Sequence, residues 1–283
     1  MRIFLFVFIM HLTSIIHAQI RAEQDVTTSS TQTVSYVNGK YKGETNTAGK
    51  RHGFGTANIN QTSYYEGQWS NDMRDGNGKC VYPNGDKYDG GWKEDKKNGK
   101  GTYIFTSGDK YVGEFRNDFM HGQGVYHYKN GNRYEGAFEY GRVSGMGVSI
   151  FANGERYEGL FTNGKRTGPG KYYYQDGEIY EGIFSDDVKD GIGIMYFPDG
   201  SKYSGEFKDN KRTGKGMFVF PNGDYYEGNF VNGMMDGKGT FYWIDGDKYQ
   251  GFFKNNLRDG FGTYTRVDGE VIHKRYIMGK EIK

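Results

Sequence analysis

The sequence predicts an all-β protein: an elongated, single-layer, twisted antiparallel sheet (a solenoid) built from tandem β-hairpins. Three observations lead to this expectation. Glycine supplies 46 of the 283 residues, roughly twice its usual share, and each interior glycine costs a helix about 1 kcal/mol. The 25 Tyr, 20 Phe and 3 Trp oppose a disordered chain, which carries few aromatic rings. The glycines and rings also recur with a fixed period, as in repeat proteins.

The N-terminal segment predicts a secretory signal peptide over residues 1–18. Arg2 is followed by an apolar run from Ile3 to Ile16, and Ala18 offers a small residue for cleavage. The run is shorter than the roughly 20 residues of a membrane span, but an uncleaved anchor and an intracellular protein stay open as alternatives. Residues 19–40 are rich in Ser, Thr and Gln and predict a flexible lead-in. We therefore expect a secreted or otherwise extracytoplasmic protein.

A Tyr-x-Gly motif recurs ten times over residues 41–272, with one step of 24 residues and then steps of 23. When each repeat is numbered from its tyrosine, glycine fills positions 3, 12 and 14 in every repeat, after one extra residue is allowed in the first. Position 21 is glycine and position 5 is aromatic in nine repeats. The second and fourth repeats illustrate the pattern with Tyr65, Gly67, Trp69, Gly76, Gly78 and Gly85, and with Tyr111, Gly113, Phe115, Gly122, Gly124 and Gly131. Residues 273–283 depart from it and predict a capping strand.

The repeat predicts two strands, because side chains alternate between the faces of a strand. Positions 1, 3 and 5 share one face of the first strand, and positions 14, 16 and 18 share the same face of the next. The other face is predicted to be polar, since position 2 often holds Asp or Glu. Asn-Gly or Asp-Gly, as in Asn84-Gly85, predicts a hairpin turn because both residues tolerate positive φ. Glycines 3 and 14 leave room for a ring over the backbone, and glycine 12 suits a loop with positive φ.

The pattern Y-x-G-x-[WF]-x6-G-x-G-x6-G resembles the MORN repeat (membrane occupation and recognition nexus). The resemblance covers Tyr41 to about Ile272. It implies a single-layer sheet of hairpins with a grooved face, used for scaffolding, self-association or contact with membranes and phosphoinositides. Some relatives also carry a lipid-kinase or methyltransferase domain. Residues 19–40 and 273–283 are too short for any catalytic fold.

The aromatic face is the first candidate binding surface. A single-layer sheet leaves apolar area uncovered, and exposed apolar area marks an interaction surface. A protein partner or a second copy of the chain can cover it as an aromatic groove. The alternative is that the rings only hold the sheet together.

A recurring basic residue between positions 6 and 13, predicted to lie in loops, is the second candidate. Such a row can meet anionic lipid head groups, or it can be ordinary solvated charge. The candidates for lipid or partner contact are Lys96, Lys97, Lys165, Arg166, Lys208, Lys211, Arg212 and Lys215.

The sequence gives little support to catalysis, cofactors or nucleic acid. The formal net charge is +2, and no histidines have metal-ligand spacing. Cys80 occupies a ring position and predicts a buried thiol, and Asn60 starts a single glycosylation sequon. We therefore expect a non-enzymatic, exported scaffold for protein interaction or self-association, without a cofactor. The alternatives are a peripheral membrane module that uses the basic loops, and an intracellular cytoskeletal or ciliary scaffold if the signal peptide is not used.

Overall fold

The computed structural model describes residues 31–36, 39–59 and 63–282, with side chains from residue 40 onward. These residues form strands and turns and contain no helix, so the all-β expectation is confirmed. The chain divides into two compact units, Met1–Asn98 and Gly99–Lys283. The predicted signal peptide (residues 1–18) and the sequon at Asn60 lie outside the described residues.

In the first unit, consecutive strands pair antiparallel from β1 to β6. The strands are β1 Thr31–Tyr36, β2 Gly39–Thr45, β3 Arg51–Ile59, β4 Ser63–Ser70, β5 Met73–Val81 and β6 Lys87–Lys93. The lead-in predicted to be flexible over residues 19–40 thus differs from the structure at its end, where β1 lies. Its Thr and Val residues suit an extended strand, and the backbone of β1 pairs with β2 from Thr31↔Glu44 to Tyr36↔Gly39.

The second unit continues the same up-and-down order. β7 (Lys96–Ile104) begins in the first unit and continues into the second, where each strand from β7 onward pairs antiparallel with the next. The strands are β8 Lys110–Arg116, β9 Phe119–His127, β10 Arg133–Glu139, β11 Arg142–Ile150, β12 Arg156–Thr162, β13 Lys165–Tyr173, β14 Ile179–Ser185, β15 Val188–Tyr196, β16 Lys202–Lys208, β17 Lys211–Val219, β18 Tyr225–Val231, β19 Met234–Tyr242, β20 Lys248–Lys254, β21 Leu257–Thr265, β22 Val271–Ile277 and β23 Lys280–Ile282. Residues 273–283, predicted as one capping strand, thus hold the end of β22 and the short strand β23.

Two kinds of turn alternate along the chain. Between β5 and β6, the turn predicted at Asn84-Gly85 is present, but only Gly85 has a positive φ (87°), and its N–H donates to the Tyr82 carbonyl. This is a three-residue hairpin loop that ends in a left-handed glycine. The tighter two-residue turn lies within the repeat, where both Asn71 (φ 48°) and Asp72 (φ 75°) are left-handed, as in a type I′ turn.

The segment over positions 6–13 is therefore not a loop, which corrects the expectation for the basic residues. After the two-residue turn, the next strand starts at position 9, as β5 does at Met73. Glycine 12 has the positive φ expected of it (103° at Gly76), but it lies inside the strand, where the register shifts between Gly67 and Trp69. Such a shift is a β-bulge, which a left-handed glycine accommodates.

Candidate functional site

One face of the sheet, here called the ring face, presents the tyrosines, the position-5 rings and the glycines at positions 3 and 14. Glycines lie opposite glycines across the strands, as in Gly67↔Gly78. A Cβ atom on Gly67 would lie 2.6 Å from the Tyr65 hydroxyl oxygen, and one on Gly78 only 2.2 Å from it. The Tyr65 hydroxyl donates to the Gln68 carbonyl over 2.9 Å. Each ring therefore lies on two glycines of its own repeat.

The tyrosines and the position-5 rings cover one another. Tyr65 meets Trp69 edge-to-face at a centroid distance of 5.0 Å and Trp92 at 5.5 Å. Tyr111 does the same with Phe115 and Phe138, at 5.1 and 5.0 Å. The side chains of both rows are buried, and this edge-to-face geometry stabilises aromatic pairs. These two rows do not form the open aromatic groove expected from the sequence, because each ring is covered by its neighbours.

The basic residue at position 10 belongs to the ring face. The Arg74 guanidinium lies 3.9 Å from the Trp92 ring centroid, and it donates to the Asp95 carboxylate (3.0 Å) and carbonyl (2.7 Å) in the turn of the next repeat. Arg166 donates in the same way to Asp187. We call this residue the clamp cation, since it joins consecutive repeats.

The eight basic candidates do not share one surface. Lys97, Arg166 and Arg212 are clamp cations that lie over rings. Lys96, Lys165 and Lys211 are exposed at the starts of their strands. Lys208 is exposed and donates to Asp190, and Lys215 is exposed on the face opposite the rings.

The accessible aromatic surface of the ring face comes from positions 16 and 18. In repeats seven to ten, six half-buried side chains follow one another at centroid distances of 4.8 to 5.9 Å. We call them the ring ladder: Phe197, Phe218, Phe220, Phe241, Trp243 and Tyr264.

Cations lie beside the ring ladder. Arg212 lies 5.8 Å from the Phe197 centroid and 5.3 Å from that of Phe218. Lys189 lines a cavity of about 230 Å³ with Phe197 and Arg212, and burial lowers the pKa of Lys189. Burial also raises the pKa of the nearby Glu178 carboxyl. The ladder therefore combines aromatic area with partly buried positive charge.

The other side of the sheet, here called the opposite face, is not uniformly polar as expected. In repeats five to seven, positions 4 and 13 hold six apolar residues, of which Met146 and Ile192 are 63% and 64% exposed. We call them the apolar stripe: Ala137, Met146, Leu160, Pro169, Ile183 and Ile192. The expectation of polarity rested on position 2, where Glu135, Glu158 and Glu181 do lie. It missed positions 4 and 13, which are on the same face.

A groove of about 1160 Å³ opens on the opposite face in repeats eight to ten. Its lining includes Lys215, Glu227, Lys238, Phe252, Phe261 and His273. Lys238 lies 5.6 Å from the Phe252 centroid, and Arg275 lies 5.2 Å from that of Phe261. Cations thus lie beside exposed rings at this groove.

Asp186, Asp187 and Cys80 are engaged within the fold. Among the described residues, no group of three or more His, Cys, Asp or Glu side chains is placed to hold a metal ion. Cys80 is buried, and burial raises the pKa of its thiol. Asp187 binds Arg166, whereas Asp186 lies 3.6 Å from Lys165. The part of the chain that the structure describes contains no helix with the length and apolar character of a membrane span.

The family model of the MORN repeat matches the chain at residues 47–57, 65–87, 88–110, 111–133, 134–156, 157–179, 180–202, 203–225, 226–248 and 249–271. The chain belongs to the MORN-repeat family. No curated protein matches it.

Among solved structures, the MORN-repeat chain is similar to the TCP domain of Drosophila melanogaster SAS-4 (dCPAP), solved in complex with a proline-rich motif of Ana2. The identity is 18% over 62% of this chain and 88% of that one, with a TM-score of 0.36. It is also similar to a mutant of the TCP10 domain of Danio rerio CPAP, with 14% identity over 89% and 99% of the two chains and a TM-score of 0.34. At these scores the similarity indicates nothing about what this chain binds.

Proposed function

We propose that this MORN-repeat protein is a non-enzymatic scaffold that binds a protein partner along the ring ladder. The observation that carries the proposal is a run of six half-buried rings on one face, from Phe197 to Tyr264. Aromatic residues and arginine are enriched in protein interfaces, and they dominate the residues whose truncation costs most binding energy. The ladder crosses seven strands, from β15 to β21, which at about 4.8 Å per strand gives a surface roughly 29 Å long.

The cations beside the ring ladder indicate which side chains a partner would bring to this surface. Lys189 and Arg212 lie beside the ladder and are partly buried: Lys189 lines a cavity with Phe197, and Arg212 lies over Phe197 and Phe218. A partner segment that covers the rings with apolar side chains and brings an acidic residue to these cations would match the surface.

Truncation of the ladder tests the proposal. The variant Phe220→Ala with Trp243→Ala removes two half-buried rings, and we expect at least a tenfold loss of affinity for a partner identified by crosslinking from the ladder. Ile244→Ala is the matched control, because Ile244 is adjacent in sequence and 74% exposed but lies outside the ladder. Equal affinity of both variants for the partner would overturn the proposal.

A second candidate function is contact with an anionic membrane surface. The exposed positions of Lys96, Lys165 and Lys211 favour it, since each lysine near such a surface contributes about 1 kcal/mol. Lys211→Ala with Lys165→Ala should reduce cosedimentation with acidic liposomes, whereas Arg166→Ala would act through the fold. Wild-type protein that stays in solution with these liposomes would exclude this function.

Export is part of the same proposal. The support is the apolar run from Ile3 to Ile16 with Ala18 after it. N-terminal sequencing of the native protein should then start at Gln19. A start at Met1 would exclude cleavage and leave the uncleaved anchor and the intracellular scaffold.

A further inference from the structure

We propose that two copies of the chain associate face to face through the apolar stripe on the opposite face. This contact lies on the other side of the sheet from the ring ladder, so it goes beyond the proposed partner binding. The stripe occupies three complete repeats of the second unit, from Ala137 to Ile192.

The strand register makes the stripe continuous. Met146 lies directly opposite Leu160, and Pro169 lies opposite Ile183. Within each hairpin the register shifts at a β-bulge, and there the stripe side chain lies against the bulge glycine of the next strand. A Cβ atom on Gly168 would lie 3.2 Å from Leu160 Cδ1, and one on Gly191 would lie 3.1 Å from Ile183 Cβ. The six side chains therefore follow one another across β10 to β15, over about 24 Å at 4.8 Å per strand.

In the neighbouring rows of the same three repeats, apolar side chains alternate with charged ones. Position 15 contributes Val148 and Ile194, and position 17 contributes Ile150, Tyr173 and Tyr196. Two residues along a strand span about 6.6 Å, so the three rows, apolar and charged side chains together, cover on the order of 600 Å² of sheet before side-chain relief is counted. A standard interface buries about 800 Å² per partner, and exposed side chains such as Met146 and Ile192 add the relief.

The charges beside the stripe favour a second copy over a charged partner. Arg156 lies 2.7 Å from Glu158, and Lys171 lies 3.3 Å from Glu181. The face is thus locally neutral, and it does not repel a second copy of itself. An isologous contact, the commonest kind in homodimers, needs one self-complementary patch of this sort.

Polar residues bound the stripe on both sides. Gln123 precedes it at position 13, and Glu206 follows it at position 4. At the same two positions the second repeat holds Gln68 and Asn77. The contact is therefore confined to repeats five to seven, and it fixes one alignment of the two copies.

The oligomeric state of the full chain tests this inference, because Met146→Lys with Ile192→Lys places two charges on the stripe without touching the buried rings. Sedimentation equilibrium should show a wild-type dimer, and the variant should dissociate with at least a tenfold larger dissociation constant. Phe261→Lys is the matched control: Phe261 is also at position 13 and is 70% exposed, but it lies outside the stripe. This control should remain a dimer, and all three proteins should have the same circular dichroism spectrum.

A wild-type chain that is monomeric at about 100 µM, far above the dissociation constants of specific dimers, would overturn the inference. So would a dimer that survives Met146→Lys with Ile192→Lys. Partner binding through the ring ladder is measured separately on the same variants, so failure of one proposal leaves the other standing.

Discussion

The two faces of the sheet differ in how much they vary from repeat to repeat. On the ring face, tyrosine occupies position 1 and glycine occupies positions 3 and 14 in all ten repeats. On the opposite face, position 13 changes from Lys100 to Gln123, Met146, Pro169 and Ile192 in successive repeats. The ring face is constrained because a buried tyrosine lies on glycine backbone with no spare room, whereas side chains of the opposite face project away from the packed rings. The residues that define the fold are therefore different from those free to specify a partner.

The largest difference between the two faces is expected at alkaline pH, where ionisation of the buried tyrosines of the ring face destabilises the fold. Burial raises the pKa of Tyr134, Tyr157, Tyr203 and Tyr226 from 10.0 to about 12. Because the folded pKa exceeds the unfolded value, the unfolded chain loses these protons first. The contribution to stability is complete below about pH 10 and is lost as the pH rises to about 12. Circular dichroism and tyrosinate absorbance should therefore change together in this window.

The alkaline prediction has its own control. Tyr203→Phe removes one ionising group of the buried row, so its loss of stability over the same window should be smaller than that of the wild type. Tyrosinate absorbance that rises fully near pH 10 with an unchanged circular dichroism spectrum would show that the row is open to solvent.

A substitution at one of the glycines of positions 3 and 14 should have the second largest effect on stability. Gly113→Val would place Cβ 2.4 Å from the Tyr111 hydroxyl oxygen and 2.6 Å from Gly124 Cα. We expect a loss of about 3 kcal/mol in the free energy of unfolding, because the ring must leave its site. Denaturant unfolding measures it. Gly154→Asn, at a turn glycine with no atom within 4 Å of its Cβ site, should cost under about 1 kcal/mol because Asn tolerates the left-handed region.

The clamp cation should give the smallest effect of the three. Arg166→Ala removes the hydrogen bonds to Asp187 and the contact over Tyr172. The guanidinium is only partly buried, so we expect a loss of about 1 kcal/mol. A double-mutant cycle with Asp187→Ala should reveal coupling between the two residues. Lys165→Ala, the exposed neighbour, should stay within about 0.5 kcal/mol of the wild type, and equal losses for the two cations would contradict the clamp.

The sequence predicted the hairpins because glycine spacing and strand alternation are local properties. It did not predict that the strand resumes at position 9, since Asn71-Asp72 is a less familiar turn signal than Asn84-Gly85. That difference moved Arg166 and Arg212 from supposed loops onto the ring face. The apolar stripe was visible at positions 4 and 13, but only the pairing of Met146 with Leu160 shows that its residues form one surface.

The sequence by itself determined the all-β class, the period and the positions where a ring must lie on glycine, because these follow from alternation and from the absence of a Cβ atom. Only the tertiary structure decided which rings are accessible. Burial depends on neighbours one repeat away: Trp92 covers Tyr65, while the six rings of the ring ladder stay half-buried. The tertiary structure also made the stripe continuous, because cross-strand register joins residues that lie 14 positions apart in the sequence.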